Sequence, residues 1–347
     1  MEPVKLAMVG CGENAKKSIV KDVNRSDLVN FIATMDIKLA LAQDLAEEAG
    51  AQMATDSYEA VLDNEDVEAV VISTPHSLHV PLGIQAARQK KHVLVDKPIA
   101  TNVEDAWNLI DVCKEENVLL SVLFGKRLHP AYDIAADLVQ RGVVGDITAL
   151  LIVNFWQKAE SYWSGGYTNR VKTDWRMKKE TSGGGMLMIN YTHDLDALQN
   201  RLGLEPASVY AQYDTFNTPV EVEDGFSLVV RYKNGAIGTY TGSSGTPGEF
   251  RIQPNYIIGT LGTIAVGNPV SYYTTNEIDG LVFGEWTDIP WESNIWDGDS
   301  YLRIIENFAL AIRGIEKLIV TGENAISSLK VIEGAYRSQE IGRPVTF

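Results

Sequence analysis

A chain of 347 residues, 45% hydrophobic and 22% charged, has the length of about two domains and the composition of a globular rather than a disordered protein. Its formal net charge of −16 opposes phosphate backbones and anionic lipid, so neither nucleic acid nor a membrane is expected as a partner. The two cysteines, Cys11 and Cys113, are too few for a disulfide framework and lack metal-ligand spacing; no metal is expected.

The chain enters a strand within its first few residues, "VKLAMVG" (4–10), leaving no room for a signal peptide, and no apolar run approaches the ~20 residues of a membrane span. A soluble cytoplasmic protein is the expectation. A helix at 13–23, a strand at 29–36 and a helix at 38–49 follow. Further strands read at 68–74, 92–96 and 119–124, with helices at 78–90 and 103–117 between them. Apolar strands alternating with amphipathic helices predict a doubly wound parallel sheet, which binds ligands beyond the carboxyl ends of its strands. This domain is expected over residues 1–126.

"GCGENA" places Gly10, Gly12, Glu13, Asn14 and Ala15 between the first strand and helix. In such a G-x-G-x-x-A pattern the first glycine permits a tight turn and the second admits a pyrophosphate. The third small residue lets helix and strand pack closely. Asp36 ends the next strand at the spacing of an acid that accepts hydrogen bonds from an adenosine ribose and repels a 2′-phosphate. NAD is therefore expected in preference to NADP; the other reading of Asp36 is a helix cap. Ser73, Thr74, Pro75, His76 and His79 in "STPHSLH" turn the chain over the same sheet edge, where the two histidines either face solvent or meet the cofactor. "HVLVDKPIA" (92–100) ends a buried strand in Asp96-Lys97-Pro98, so Lys97 projects from the ligand-binding edge.

After residue 146 the alternation stops. Strands read at "ITALLIVNFW", "ASVYAQYDTF", "GFSLVVRYKNGAIGTYTG" and "FRIQPNYIIGTLGTIAVG", with a hairpin signal at Lys233-Asn234-Gly235 and helices near 185–202, 299–313 and 325–340. A second α/β domain with an open, mainly antiparallel sheet is expected over 127–347. Trp156, Trp163, Trp175, Trp286, Trp291 and Trp296 suit the apolar face of a sugar, a core or a subunit interface equally. In "TSGGGMLMINYTHDLDAL" three glycines precede a helix on which Ile189, His193 and Asp196 share a face. His193 reads either as a core histidine or as a proton-transfer group.

The ordered set "VGCGENA", Asp36, "STPHSLH", "VDKPIA", "DWRMKKETSGGGML", "HDLDAL" and "VTGENAISSLKVIEGAYRS" resembles the Gfo/Idh/MocA family of NAD(P)-dependent oxidoreductases. Asp96-Lys97-Pro98 stands where that family has Glu-Lys-Pro. The resemblance implies a Rossmann domain plus an α/β domain whose sheet packs against another subunit, as a homodimer or homotetramer. It implies hydride transfer between a secondary hydroxyl of a sugar, glycoside or cyclitol and the nicotinamide. Lys97 and His193 would serve in proton transfer, and the bond before Pro98 is often cis. Asn190, Arg127, Trp175 and Arg176 match positions near the substrate, where a structural role is equally open. Many relatives carry an aspartate four residues before the histidine; here that residue is Ile189, which can neither accept a proton nor orient an imidazole. The resemblance also implies an alternative, an NAD-dependent glycosidase working by transient sugar oxidation and elimination. A non-catalytic dinucleotide sensor is the third reading, and the retained Lys97 and His193 argue against it.

Overall fold

The computed structural model describes residues 1–168, 170–248, 255–291 and 299–347. The chain forms two compact units. One comprises Met1–Gly125, Glu160–Gly184 and Asp297–Leu329, the other Lys126–Ala159, Gly185–Trp296 and Lys330–Phe347. The first segment ends at Gly125, ahead of the change of period after residue 146, and two later segments, 160–184 and 297–329, return to the first unit. Long-range bonds that no local pattern encodes tie one of them down. Ser121 Oγ donates to Val320 O at 2.7 Å, and Arg313 pairs with Glu68 at 2.5 Å.

The first unit holds six parallel strands: β1 (Val4–Val9), β2 (Val29–Met35), β3 (Met53–Thr55), β4 (Ala69–Ile72), β5 (His92–Asp96) and β6 (Leu120–Leu123). They lie in the order β3-β2-β1-β4-β5-β6, the doubly wound arrangement in which the chain reverses direction beside β1. All four residues of β4 are fully buried, as strands covered on both faces must be. Helix Leu39–Ala49 turns Ala42, Leu45 and Ala46 inward and ends at Gly50 in the left-handed region (φ +67°). Asn102 caps helix Val103–Glu115 by accepting from the Asp105 amide at 2.8 Å. β3 and helix Tyr58–Leu62, absent from the sequence reading, are too short for periodicity to reveal.

The second unit is built on a nine-stranded sheet. Its strands are β7 (Ile147–Phe155), β8 (Pro206–Asp214), β9 (Gly225–Tyr232), β10 (Ile237–Ser243), β11 (Asn255–Gly259), β12 (Gly262–Ala265), β13 (Val270–Thr274), β14 (Thr287–Ile289) and β15 (Val345–Thr346). The order is β14-β13-β12-β11-β7-β10-β9-β8-β15, antiparallel apart from the parallel pair β7/β10. The hairpin read at Lys233-Asn234-Gly235 joins β9 to β10: Gly235 N donates to Tyr232 O at 3.0 Å and Gly235 takes φ +91°. Along β7, Leu150, Ile152 and Asn154 are buried while their neighbours are half-exposed. Tyr210, Val229, Thr239, Leu151 and Tyr256 form one cross-strand row on the opposite face. The part of the fourth predicted strand run that precedes Asn255, and Trp296, lie outside the described residues. Among the described residues no helix is long and apolar enough to cross a membrane.

The glycine run before the helix predicted near 185–202 is explained by one close approach. The helix begins with a π-type turn, Leu187–Tyr191, and continues as Thr192–Arg201. Buried Glu223 caps its start, accepting from Gly185 N at 2.8 Å and Leu187 N at 2.9 Å through its carboxylate, and from Met186 N at 2.9 Å through its carbonyl. Tyr336 donates to the same carboxylate at 2.9 Å. A Cβ at Gly185 would stand 1.9 Å from the Glu223 carbonyl oxygen. Gly185→Ala is therefore expected to cost about 3 kcal/mol or more, because backbone rather than a pliable side chain must move. A fall in the urea midpoint checks this.

Candidate active site

β1 runs into Gly10, whose φ is +91° and whose missing Cβ would lie 2.5 Å from Ser73 O, so glycine is required twice over. At Gly12 a Cβ would meet nothing within 4 Å: the backbone faces open space. Ala15 is fully buried and opens a π-type turn, Ala15–Ile19, that continues as Val20–Val23; such turns recur at functional sites. Asp36, just past β2, accepts from Cys11 N at 2.8 Å and from Lys38 N at 2.9 Å. It does not cap the next helix, whose N-cap is Lys38; it bridges the glycine turn and the end of β2. Beyond it Ile37 is 83% exposed, an apolar side chain standing free beside an acid. Burial pushes the Cys11 thiol up to about 12, so it is a packed, inert group.

One carboxylate organises the neighbouring strand ends. Asp96 Oδ2 accepts from Asn14 Nδ2 at 2.6 Å and from Ser73 Oγ at 2.9 Å, while Oδ1 accepts from the Lys97 amide at 2.8 Å. Asn14, Ser73 and Asp96, all expected at the cofactor, thus spend these side-chain bonds on one another. Lys97 is half-buried, and the Lys97–Pro98 bond is cis. Thr74 packs against Gly10, and Pro75 leads into the turn His76–Leu78.

Neither histidine of this turn faces solvent. His79 is fully buried, its ring nitrogens 2.8 Å from Pro98 O and 3.0 Å from Thr74 O, which makes it a brace between two strand ends. His76 Nδ1 donates to Ser182 O at 2.7 Å. Burial first, then the charges of His79 and Lys97, hold His76 well below the usual imidazole range, so it is neutral; the lysine lies within electrostatic reach of it. The edge of Trp175 packs on His76 at 4.7 Å between ring centroids, and Arg176 lies over the Trp175 ring at 4.5 Å. Both predicted substrate residues therefore stand at this edge of the parallel sheet, within the first unit.

In the second unit Arg127 is 3% exposed and makes a two-pronged ion pair with Asp196, with Nε to Oδ2 at 2.9 Å. This pair gives Arg127 a structural role, one of the two readings its position in the sequence left open. Asp194 accepts from Lys126 Nζ at 2.6 Å and Tyr132 Oη at 2.8 Å, so both aspartates of "HDLDAL" anchor the helix. Ile189 and Asp196 are buried, while Asn190 and His193 are partly exposed. The helix that carries them opens with the π-type turn Leu187–Tyr191.

These residues fit an adenine dinucleotide. Gly12 leaves open space where a pyrophosphate would lie, the next helix starts beside it, Asp36 ends the neighbouring strand where a ribose would be met, and the buried Glu13 Oε1 has no hydrogen-bond partner. Sequence reasoning missed Tyr301, a buried phenol bonded to Asn14, and Thr168 and Arg170, which contact the glycine turn from far along the chain. No local pattern signals contacts of that sequence separation.

A parallel sheet in this order, with a glycine turn and an acid at the next strand end, defines a nicotinamide-dinucleotide oxidoreductase. The chain belongs to the Gfo/Idh/MocA family. Residues 4–124 match its "Oxidoreductase family, NAD-binding Rossmann fold" and residues 132–265 its "GFO/IDH/MocA C-terminal domain". Levoglucosan dehydrogenase of Pseudarthrobacter phenanthrenivorans is 27% identical over 65% of this chain and 61% of its own length. D-xylose 1-dehydrogenase (NADP(+)) 2 of Haloferax volcanii is 28% identical over 95% of each chain. The scyllo-inositol 2-dehydrogenase (NAD(+)) of Bacillus subtilis is 26% identical over 99% of this chain and 96% of its own. A levoglucosan dehydrogenase structure in complex with NADH and levoglucosan shares the fold, with a TM-score of 0.87 and 20% identity over 99% of both chains.

Because folded His76 stays neutral while the unfolded chain protonates it near its ordinary 6.5, the unfolded state binds more protons below that pH. Stability is thus expected to fall as pH drops from 7 toward 5, with His76 contributing a slope of up to about 1.4 kcal/mol per pH unit. Urea titrations across this range check the effect, and His76→Gln should flatten the slope.

Proposed function

We propose that the protein is an NAD-dependent dehydrogenase acting on a secondary hydroxyl of a sugar, glycoside or cyclitol. The observation that carries this reading is the Asp96 carboxylate, which ties the glycine turn, the end of β4 and the Lys97 amide into one assembly. Lys97 is thereby held at the strand edge to which the turn would bring a dinucleotide. The sugar and cyclitol names of the relatives support the substrate class.

Gly10, Gly12 and the following helix start would hold the pyrophosphate, and Asp36 would accept from the adenosine ribose hydroxyls. A bound dinucleotide supplies the hydride acceptor. Lys97 takes the hydroxyl proton of the substrate through Nζ, as general base in oxidation and general acid in the reverse direction. His193 is the second proton-transfer group and Asn190 its neighbour in orienting the substrate; Ile189 cannot assist either. Trp175 and Arg176 line the substrate side of the first unit. Asp36 favours NAD over NADP, since its carboxylate would meet a 2′-phosphate. We further propose a cytoplasmic homodimer or homotetramer formed through the open face of the nine-stranded sheet. Val229 (46% exposed) and Tyr210 (37% exposed) stand on that face.

Lys97→Ala is expected to lower kcat by about a hundredfold to ten-thousandfold while NADH affinity stays nearly unchanged. An NADH-absorbance assay over hexoses, glycosides and inositols, paired with fluorescence titration of NADH, checks both halves. Turnover surviving in the variant overturns the assignment of the base. Asp36→Ala is expected to raise the ratio of NADP to NAD use in the same assay; an unchanged ratio removes Asp36 as the discriminator.

A further inference from the structure

In a Rossmann domain the glycine turn is where the dinucleotide's pyrophosphate is held, and here a strap from more than a hundred residues further along the chain crosses it within the same unit. Gly166 takes φ +74° and lies on the Glu13 side chain, where an added Cβ would stand 3.1 Å from Cγ. The Tyr167 ring carries the Lys17 ammonium 4.8 Å from its centroid. Thr168 donates to Glu13 Oε2 through its hydroxyl and, at 3.3 Å, its amide. Arg170 Nε donates to Cys11 O at 3.1 Å, between the two glycines of the motif, and its guanidinium pairs with Asp44 on helix Leu39–Ala49. The strap therefore grips the turn, the helix after it and the helix beyond β2.

Charge gives the grip a second purpose. A protein of net charge −16 must hold a doubly anionic pyrophosphate. Arg170, 13% exposed at its side chain, and Lys16, which reaches Asp44 at 2.7 Å, are the cations beside the turn. Arg170 has five N–H donors; bonds to Cys11 O, Leu41 O (3.4 Å) and Asp44 leave others in its fork for an anion alongside.

We infer that Thr168 and Arg170 form a clasp that controls how long the dinucleotide stays bound, with Arg170 a cofactor-site residue supplied from outside the Rossmann sequence. The inference rests on the glycine turn being the dinucleotide site. Exchange of oxidised for reduced cofactor then requires the strap to lift, breaking the Thr168–Glu13 and Arg170–Cys11 bonds and the Arg170–Asp44 ion pair.

The test loads the full-length protein with NADH, chases with excess NAD and follows the loss of bound-NADH fluorescence. Release is expected at least tenfold faster in Arg170→Ala, with an intermediate rate in Arg170→Lys, which keeps the charge but loses the fork. Thr168→Val should also release NADH faster, and it carries the test if Arg170→Ala does not fold. Raising ionic strength should speed release from the wild type, by screening the half-exposed Arg170–Asp44 pair, and have less effect in Arg170→Ala. NADH binding with wild-type release rates in both Arg170→Lys and Thr168→Val overturns the clasp alone. Wild-type protein that binds no NADH overturns the dinucleotide site, and the clasp with it.

Discussion

A buried carboxylate at the end of a parallel strand is the constraint on which the candidate site depends. Asp96 is 8% exposed, and a charge in that position must be answered by donors or it destabilises the fold. Its donors are the Asn14 amide, the Ser73 hydroxyl and the Lys97 backbone amide, which belong to three different strand–helix connections. Satisfying one group therefore fixes the relative positions of the glycine turn, the end of β4 and the base of the Lys97 side chain. His79 repeats the device from behind, its ring set between the carbonyls of Thr74 and Pro98. The edge is preorganised by polar groups that do not themselves take part in the chemistry.

The second unit uses the same logic on a helix. Glu223 caps its start, and the ion pairs Arg127–Asp196 and Lys126–Asp194 hold its inner face. Breaking a buried pair of this kind on one side strands a charge, at a cost of about 3–5 kcal/mol, so such residues are kept for position rather than for contact with a ligand. Asn190 and His193 remain as partly exposed polar groups on a stretch whose neighbours are buried. A charged scaffold beneath and a partly exposed polar pair above is a division of labour between residues adjacent in sequence.

Much of the fold was legible in the sequence because its signals are local. Strand–helix alternation, the Gly10-x-Gly12-x-x-Ala15 turn and the Lys233-Asn234-Gly235 hairpin each follow from torsional preference and burial over a few residues. Asp36, Asp96 and Lys97 were locatable because parallel sheets present ligands to strand ends. Short elements such as β3 and β14 were not, since they span too few residues for a period to emerge. The roles of Arg127 and His79 stayed open in the sequence for a different cause. A polar residue near a site has the same one-letter code whether it faces a ligand or a buried partner.

The sequence by itself determined the class of fold, the position of the dinucleotide turn and the candidacy of Lys97 and His193, all encoded in short runs of backbone preference and hydrophobicity. Tertiary structure alone decided which polar residues are spent inward. It also decided that the helix carrying His193 starts with a π-type turn, and that residues 160–184 belong with the first unit. These outcomes depend on hydrogen bonds between groups as far apart as Arg170 and Cys11, 159 residues along the chain. Such bonds form only when the whole chain has brought its buried donors and acceptors together, and no window of sequence contains both ends.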